Sequence, residues 1–166
     1  MFRVNKLTDY ATVVLIDMSQ SGLVRPTQAI SEKTGIPLPT VGKLMKSLVK
    51  AGLVVSHRGV RGGYSLAKPV SEVSVADVIE AVEGPIALTA CVESSDEDCC
   101  YQTLCPMSGK WNRVNGVVTR ALRDVSLANM LADMPWPVGT RDTIPGSWDN
   151  QLNSESTPPV QNKQNT

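Results

Sequence analysis

The sequence predicts a mainly α-helical fold with one small β-hairpin, on three observations. Apolar residues recur at helical spacing in several separate segments. Helix caps and glycine or proline stops punctuate those segments. Between Leu53 and Lys68 the pattern changes to two short strand-like runs around a glycine-rich turn.

Thr8 is placed to cap a first helix from about Asp9 to Gln20, with Tyr10, Val13, Val14 and Met18 on its apolar face. Gly22 and Pro26 break the chain. Thr27 then caps a short helix to about Thr34, and Gly35 stops it. After the Ile36-Pro37 turn, a third helix spans about Leu38 to Ala51. Val41, Leu44, Met45, Leu48 and Val49 form one face; Thr40, Lys43, Lys46, Ser47 and Lys50 form the other. Leu53-Val-Val-Ser-His57 and Tyr64-Ser-Leu-Ala-Lys68 flank the turn Arg58-Gly-Val-Arg-Gly-Gly63, which makes a hairpin. Helix, turn, helix and hairpin in that order describe a winged helix-turn-helix. Ser74, with Asp77 three positions on, caps a helix to Val82 that Gly84-Pro85 ends. A long helix is then expected from about Ser108 to Leu131. Its Trp111, Val114, Val118, Ala121, Leu122, Val125 and Ala128 form a nearly heptad seam suited to dimerisation. The expected organisation is a winged helix-turn-helix domain over 1–84, a cysteine-rich loop over 85–106, a dimerisation helix over 107–134 and a disordered tail over 135–166. The tail has five prolines among many Asn, Gln, Ser and Thr, too little apolar surface to offset its ordering entropy.

The 166 residues carry 16 basic and 16 acidic side chains, but the balance is an average of unlike parts. Residues 1–68 hold ten basic and three acidic residues, whereas residues 69–106 hold eight acidic and no basic ones. A basic head beside an acidic middle is more informative than the neutral sum. No apolar run approaches the roughly 18–20 residues of a membrane span. Asp9 and Asp17 interrupt the first apolar stretch and no signal-type cleavage site follows, so a cytoplasmic protein is expected.

A major groove admits one helix, whose N-terminal polar side chains read base edges. In the third helix those positions are Pro39, Thr40 and Lys43, with Lys46 and Lys50 further along toward the phosphates. Thr27 and Gln28 open the preceding helix, where free N–H groups favour phosphate. In the hairpin turn, Arg58 and Arg61 suit the minor groove, and glycines such as Gly62 let the backbone come close to the duplex. Double-stranded DNA is the partner this pattern predicts. His57, the single histidine, lies outside the cysteine motif and reads as a phosphate contact or as having no role.

Four cysteines fall between Cys91 and Cys105: Cys91, Cys99, Cys100 and Cys105. There is no C-x-x-C pair, which disfavours a zinc ribbon or a thioredoxin-like motif. Wider spacing in a loop still allows soft thiolates to hold a cluster, and it equally allows free or disulfide-forming thiols. The acidic neighbours Glu93, Asp96, Glu97 and Asp98 work against thiolates unless they point to water. A cysteine-nucleophile enzyme is disfavoured, because no histidine lies in the loop and no phosphate loop or hydrolase elbow is present.

Several motifs together carry a resemblance. They are Lys6-Leu-Thr-Asp-Tyr-Ala11, the helix-turn-helix, Arg58-Gly-Val-Arg-Gly-Gly-Tyr64, Val75-Ala-Asp-Val-Ile-Glu-Ala-Val-Glu-Gly84 and the cysteine loop. Over residues 1 to about 131 the chain resembles the IscR-type family of iron–sulfur-sensing winged-helix transcription regulators. Leu88-Thr-Ala-Cys91 and Leu104-Cys-Pro-Met107, followed by Trp111 and Val114-Asn115, look most like the regulators of SUF-type cluster assembly. The resemblance implies a homodimer with a long crossing helix, two winged heads and one iron–sulfur cluster, [2Fe–2S] or [4Fe–4S], per protomer. It implies three ligands at Cys91, at Cys99 or Cys100, and at Cys105. Cys99 is preferred, because the five residues between it and Cys105 match the family spacing. One branch places a His three residues after the last Cys, where this chain has Ser108. In the nitric-oxide-sensing branch the Asp of the Thr-Asp motif comes from the other subunit, and Asp9 matches it here. An acidic residue in a first helical turn is also favoured by the helix dipole alone. The implied function is repression of cluster-assembly genes through operator DNA when cluster is plentiful. The alternative keeps the DNA reader and makes the cysteines a thiol–disulfide or zinc sensor.

Overall fold

A computed structural model describes residues 4–59, 62–95, 105–107 and 109–132. Arg61, Cys99, Cys100, Ser108 and the tail from residue 135 lie outside the described residues. Helix α1 spans Lys6–Ser21, α2 Thr27–Thr34 and α3 Leu38–Lys50. Strands β1 (Val54–His57) and β2 (Gly63–Leu66) pair antiparallel, with Val54 opposite Leu66 and His57 opposite Gly63. A single 3-10 turn (Val70–Glu72) leads to α4 (Val75–Glu83), and α5 (Trp111–Arg123) and α6 (Leu127–Ala132) follow. The expected mainly α fold with one hairpin is the observed one.

The core lies where α1, α3 and α4 meet. Val14 and Leu15 of α1, Ile30 of α2, Val41, Leu44, Met45 and Leu48 of α3, Val73, and Val78 of α4 are all essentially excluded from solvent. The α3 residues are the apolar stripe that the sequence spacing marks, and burying each such side chain contributes about 1.5–3 kcal/mol.

Three local expectations need correction. Helix α1 begins at Lys6, because the Asn5 side chain accepts from the Leu7 N–H and caps it. Thr8 is therefore inside the helix, and its buried hydroxyl donates to the Glu83 carboxylate of α4. Thr27 is likewise the first residue of α2 and not its cap, which is Pro26. The third correction is larger. The long helix expected over 108–131 is two helices, broken at Asp124–Ser126. Ser126 caps α6, its hydroxyl accepting from the Asn129 N–H while the Asn129 side chain accepts from the Ser126 N–H. The broken stretch pairs with the chain before α4: Val75 N–H donates to Val125 O, and Leu127 N–H donates to Val73 O, both at 2.9 Å. The break lets Leu127 reach the core of the head, where it is 0% exposed. That burial is worth about 1.5–3 kcal/mol, and the bonds to Val73 and Val75 with the Ser126–Asn129 cap replace part of the intrahelical bonding given up.

One ion cluster fixes the start of the helix-turn-helix. The Asp17 carboxylate, 1% exposed on α1, takes Arg25 on one oxygen and Lys33 on the other, each at 2.5 Å. Arg25 in turn pairs through its backbone with Tyr64 of β2, by hydrogen bonds of 2.9 and 2.8 Å. Gly63 makes that approach possible: a Cβ there would lie 2.4 Å from Arg25 O. The wing is thus docked on the α1–α2 connection and not only on its own turn.

The expected capping box at α4 is present, with the Ser74 side chain on the Asp77 N–H and the Asp77 carboxylate on the Ser74 N–H. Partial burial works against the Asp77 charge, but the backbone and hydroxyl of Ser74 and the Lys68 ammonium outweigh it and hold the carboxyl below its usual range. A carboxylate depressed in the folded state contributes stability above its unfolded pKa of about 3.9 and loses it as pH falls through the folded value.

Two outcomes are expected in urea unfolding. Asp17→Ala costs about 3 kcal/mol by leaving Arg25 without its buried partner, whereas Lys33→Met, at the exposed end, costs under about 1 kcal/mol; equal costs would show that no buried pair organises this corner. The stability gap between wild type and Asp77→Asn is full above about pH 4 and closes as the pH is lowered further; a gap that is flat down to pH 2 would remove the capping carboxylate from the account.

Candidate DNA interface and cysteine segment

The regular part of α3 leaves Pro39, Lys43, Lys46 and Lys50 exposed and Thr40 half-buried. Their spacing of three and four residues puts the three lysines on one face. Proline at the second helical position and Pro37 before the helix preset its first turn. Gln28, exposed at the start of α2, bonds Glu32 at 3.1 Å, and Thr27 beside it is half-buried. Lys46, Val49, Lys50, Ser56 and Tyr64 line a shallow cleft between α3 and the hairpin, so the second half of α3 runs beside the wing. Arg58 is exposed where the wing turn begins, and Gly62 closes it; a Cβ on Gly62 would lie 2.6 Å from His57 O. His57 bonds Ser65 across the strands at 2.8 Å.

The structure divides the positive charge of the head into two groups. Arg25 and Lys33 neutralise Asp17, and Lys68 sits 3.5 Å from Asp77. Lys43, Lys46, Lys50 and Arg58 form no ion pair with any described residue, and α3 carries no acidic side chain. The unspent cations therefore follow α3 to the wing, the line on which a duplex's phosphates would neutralise them.

The cysteine segment starts after α4. Residues 86–95 bend back on α5 through turns at Thr89–Val92 and Val92–Ser95, with Val92 and Ile86 buried. Cys91 is half-buried on this bend, with Thr89 Oγ1 at 3.2 Å from its Sγ. Cys105 is also half-buried, and both are free thiols. Asp9 is exposed in the first turn of α1. Among the described residues no three His, Cys, Asp or Glu side chains converge, and Cys99 and Cys100 lie outside them.

Sequence reasoning gives two residues of this region no role, Asn115 entering only as part of a family motif. Asn112 and Asn115 of α5 hold the bend: Asn112 exchanges hydrogen bonds with Glu93, and Asn115 bonds Ile86 O, Leu88 N–H and Ser94 Oγ. The Glu93 carboxylate is thereby held on α5. The available signal is asparagine, a poor helix former, twice on one helix face.

The family model described as "Rrf2: Iron-dependent Transcriptional regulator" matches residues 4–133. The chain belongs to the Rrf2 family. The HTH-type transcriptional regulator IscR of Vibrio atlanticus (strain LGP32) is 35% identical over 127 residues, covering 75% of this chain and 72% of the relative. That of Photorhabdus laumondii is 37% identical over 125 residues, covering 74% of each. Among solved structures, T. potens IscR has TM-score 0.55 at 28% identity, covering 80% of this chain and 88% of that one. The global cysteine regulator CymR of B. subtilis shares the fold, with TM-score 0.59 at 24% identity over 81% of this chain and 99% of that one. The chain is an IscR-like, DNA-binding Rrf2 transcription regulator and not an enzyme. Among the described residues, no helix is long and apolar enough to cross a membrane.

If Lys43 reads a base, Lys43→Ala weakens binding to a selected duplex by about 1–3 kcal/mol and leaves nonspecific affinity less affected. Competition titrations at fixed salt check this; equal losses on both duplexes would make Lys43 a phosphate contact.

Proposed function

We propose that this chain is a cytoplasmic homodimeric operator-binding repressor of iron–sulfur cluster assembly genes, its DNA affinity set by a cysteine-ligated iron–sulfur cluster, [2Fe–2S] or [4Fe–4S]. The observation that carries the reading is the pair of free, half-buried thiols, Cys91 and Cys105, the first of them on a bend bonded to α5. Their donor chemistry fits such a group, since soft thiolates are the usual ligands of these clusters. The ligands would be Cys91, Cys99 (with Cys100 adjacent) and Cys105, and Asp9 from a second copy would complete the set. When bound, the cluster supplies sensitivity to iron, oxygen or nitric oxide.

The DNA contacts would be Thr40 and Lys43 at base edges, Thr27, Gln28 and Lys46 on phosphates, and Arg58, Arg61 and Gly62 in the minor groove. Pro39 would set the approach of α3. The second copy would cover the exposed apolar side chains of α5: Trp111, Val114 and Val117 are 37%, 45% and 64% exposed. Large apolar side chains in a row on one helix favour such a partner. In this scheme residues 1–84 form the head, 85–106 the sensing loop and 107–134 the dimer stem, with Leu127 of the stem anchored in the head.

The adjacent pair Cys99-Cys100 favours a second reading, a thiol–disulfide or zinc sensor on the same DNA reader. Anaerobic purification with iron, sulfide and zinc analysis separates the two: iron and sulfide in equal amounts support the cluster, and zinc without sulfide removes it. Cys91→Ala is expected to abolish iron and sulfide binding while size-exclusion chromatography still shows a dimer; retention of both elements would take Cys91 out of the ligand set.

A further inference from the structure

Asparagine in mid-helix is unfavourable, and a buried amide costs stability unless each of its polar atoms is bonded. Asn115 is 7% exposed in the middle of α5, and its amide is fully used. Its Oδ1 accepts from Leu88 N–H at 2.9 Å, and its Nδ2 donates to Ile86 O at 2.8 Å and to Ser94 Oγ at 3.2 Å. Ser94 Oγ itself donates to Ile86 O at 2.9 Å, which closes the group. The bonded residues bracket Cys91: Leu88 lies three positions before it and Ser94 three after. One side chain of α5 therefore ties both arms of the bend that carries the thiol.

The same helix is joined to the head. Leu122 packs on Ala76, Ile79 and Ile86, and Arg123 bonds Glu80 of α4 at 2.9 Å. Asn112, one turn before Asn115, also reaches the bend, but its partner Glu93 is exposed and water competes for those bonds. The Asn115 amide, by contrast, is 7% exposed and bonds the bend at three points.

We propose that Asn115 is a positioning residue that couples the Cys91 bend to α5, so that a change at the thiol is felt by the helix joining loop, head and second copy. The role rests on the cluster-sensing reading above. Displacing the bend alone breaks all three bonds of the Asn115 amide, whereas carrying α5 with it keeps them. Asn115→Asp keeps the shape and the acceptor for Leu88 N–H but removes the donor, setting a carboxylate oxygen against Ile86 O.

The test uses the full chain, loaded anaerobically with ferrous iron and sulfide or stripped of both, and a duplex selected by the loaded wild type from a randomised pool. Wild type is expected to show a loaded-to-stripped affinity ratio in the range of known couplings, about 5–150-fold. Asn115→Asp is expected to bind iron and sulfide in wild-type amounts yet bring that ratio close to one, while Asn112→Ala keeps most of it. A ratio unchanged in Asn115→Asp overturns the role of Asn115 alone. A wild-type ratio of one overturns the cluster-sensing reading and this role with it. Hydrogen exchange of the wild type gives an answer that needs no variant to fold: stripping should raise exchange in 86–95 and in 111–123 together. A rise confined to 86–95 overturns the coupling.

Discussion

The buried Asp17 carboxylate is the constraint on which the DNA-reading half depends. A carboxylate 1% exposed is tolerable only with cations in contact, and the two it holds come from different places. Arg25 belongs to the connection after α1, and Lys33 to the last turn of α2. Helix α2 is short, with only Ile30 fully buried, so apolar contact alone fixes its position weakly. The ion cluster supplies direction, as an ion pair demands a particular geometry and apolar contact does not. Through the Arg25 backbone the same corner receives β2, so the angle between wing and helix-turn-helix follows from it.

This arrangement also explains how a chain of zero formal charge serves as a DNA reader. Among the described residues, Arg25, Lys33 and Lys68 are spent on the head's own carboxylates, and the cations on α3 and Arg58 are not. Counterion release rewards only cations that meet phosphates. The acidic residues of the middle segment are partly consumed inside the fold as well: Asp77 caps α4, Glu83 receives Thr8, Glu80 meets Arg123 and Glu93 meets Asn112. At these four positions the acidic side chains also serve as bonding partners inside the fold.

Helices α5 and α6 differ in what they contact. Helix α5 carries polar anchors toward the cysteine bend and bare apolar side chains elsewhere, whereas α6 belongs to the head through Leu127. A continuous helix would have kept Leu127 out of that core. The break at Asp124–Ser126 thus ties this end of the described chain to the core beside Val73.

Much of this was legible locally. The α3 stripe, the Ser74–Asp77 box, the hairpin around Arg58–Gly63 and the family motifs all depend on residues within a few positions of one another, and periodicity and capping chemistry read that range directly. What was not legible is long-range. Thr8 is drawn to Glu83, Leu127 to the core beside Val73, Arg25 to both Asp17 and Tyr64, and Asn115 to the arms around Cys91. Each pairing joins groups whose need for a partner is visible in the sequence but whose partner is not. Alone, the sequence determined which segments are helical, which face of each is apolar and which residue types are available for DNA and soft metals. Tertiary structure decided which charges are spent, where the last helix breaks and what holds the cysteine bend, because burial makes an unpaired polar group costly only once the chain has brought its neighbours together.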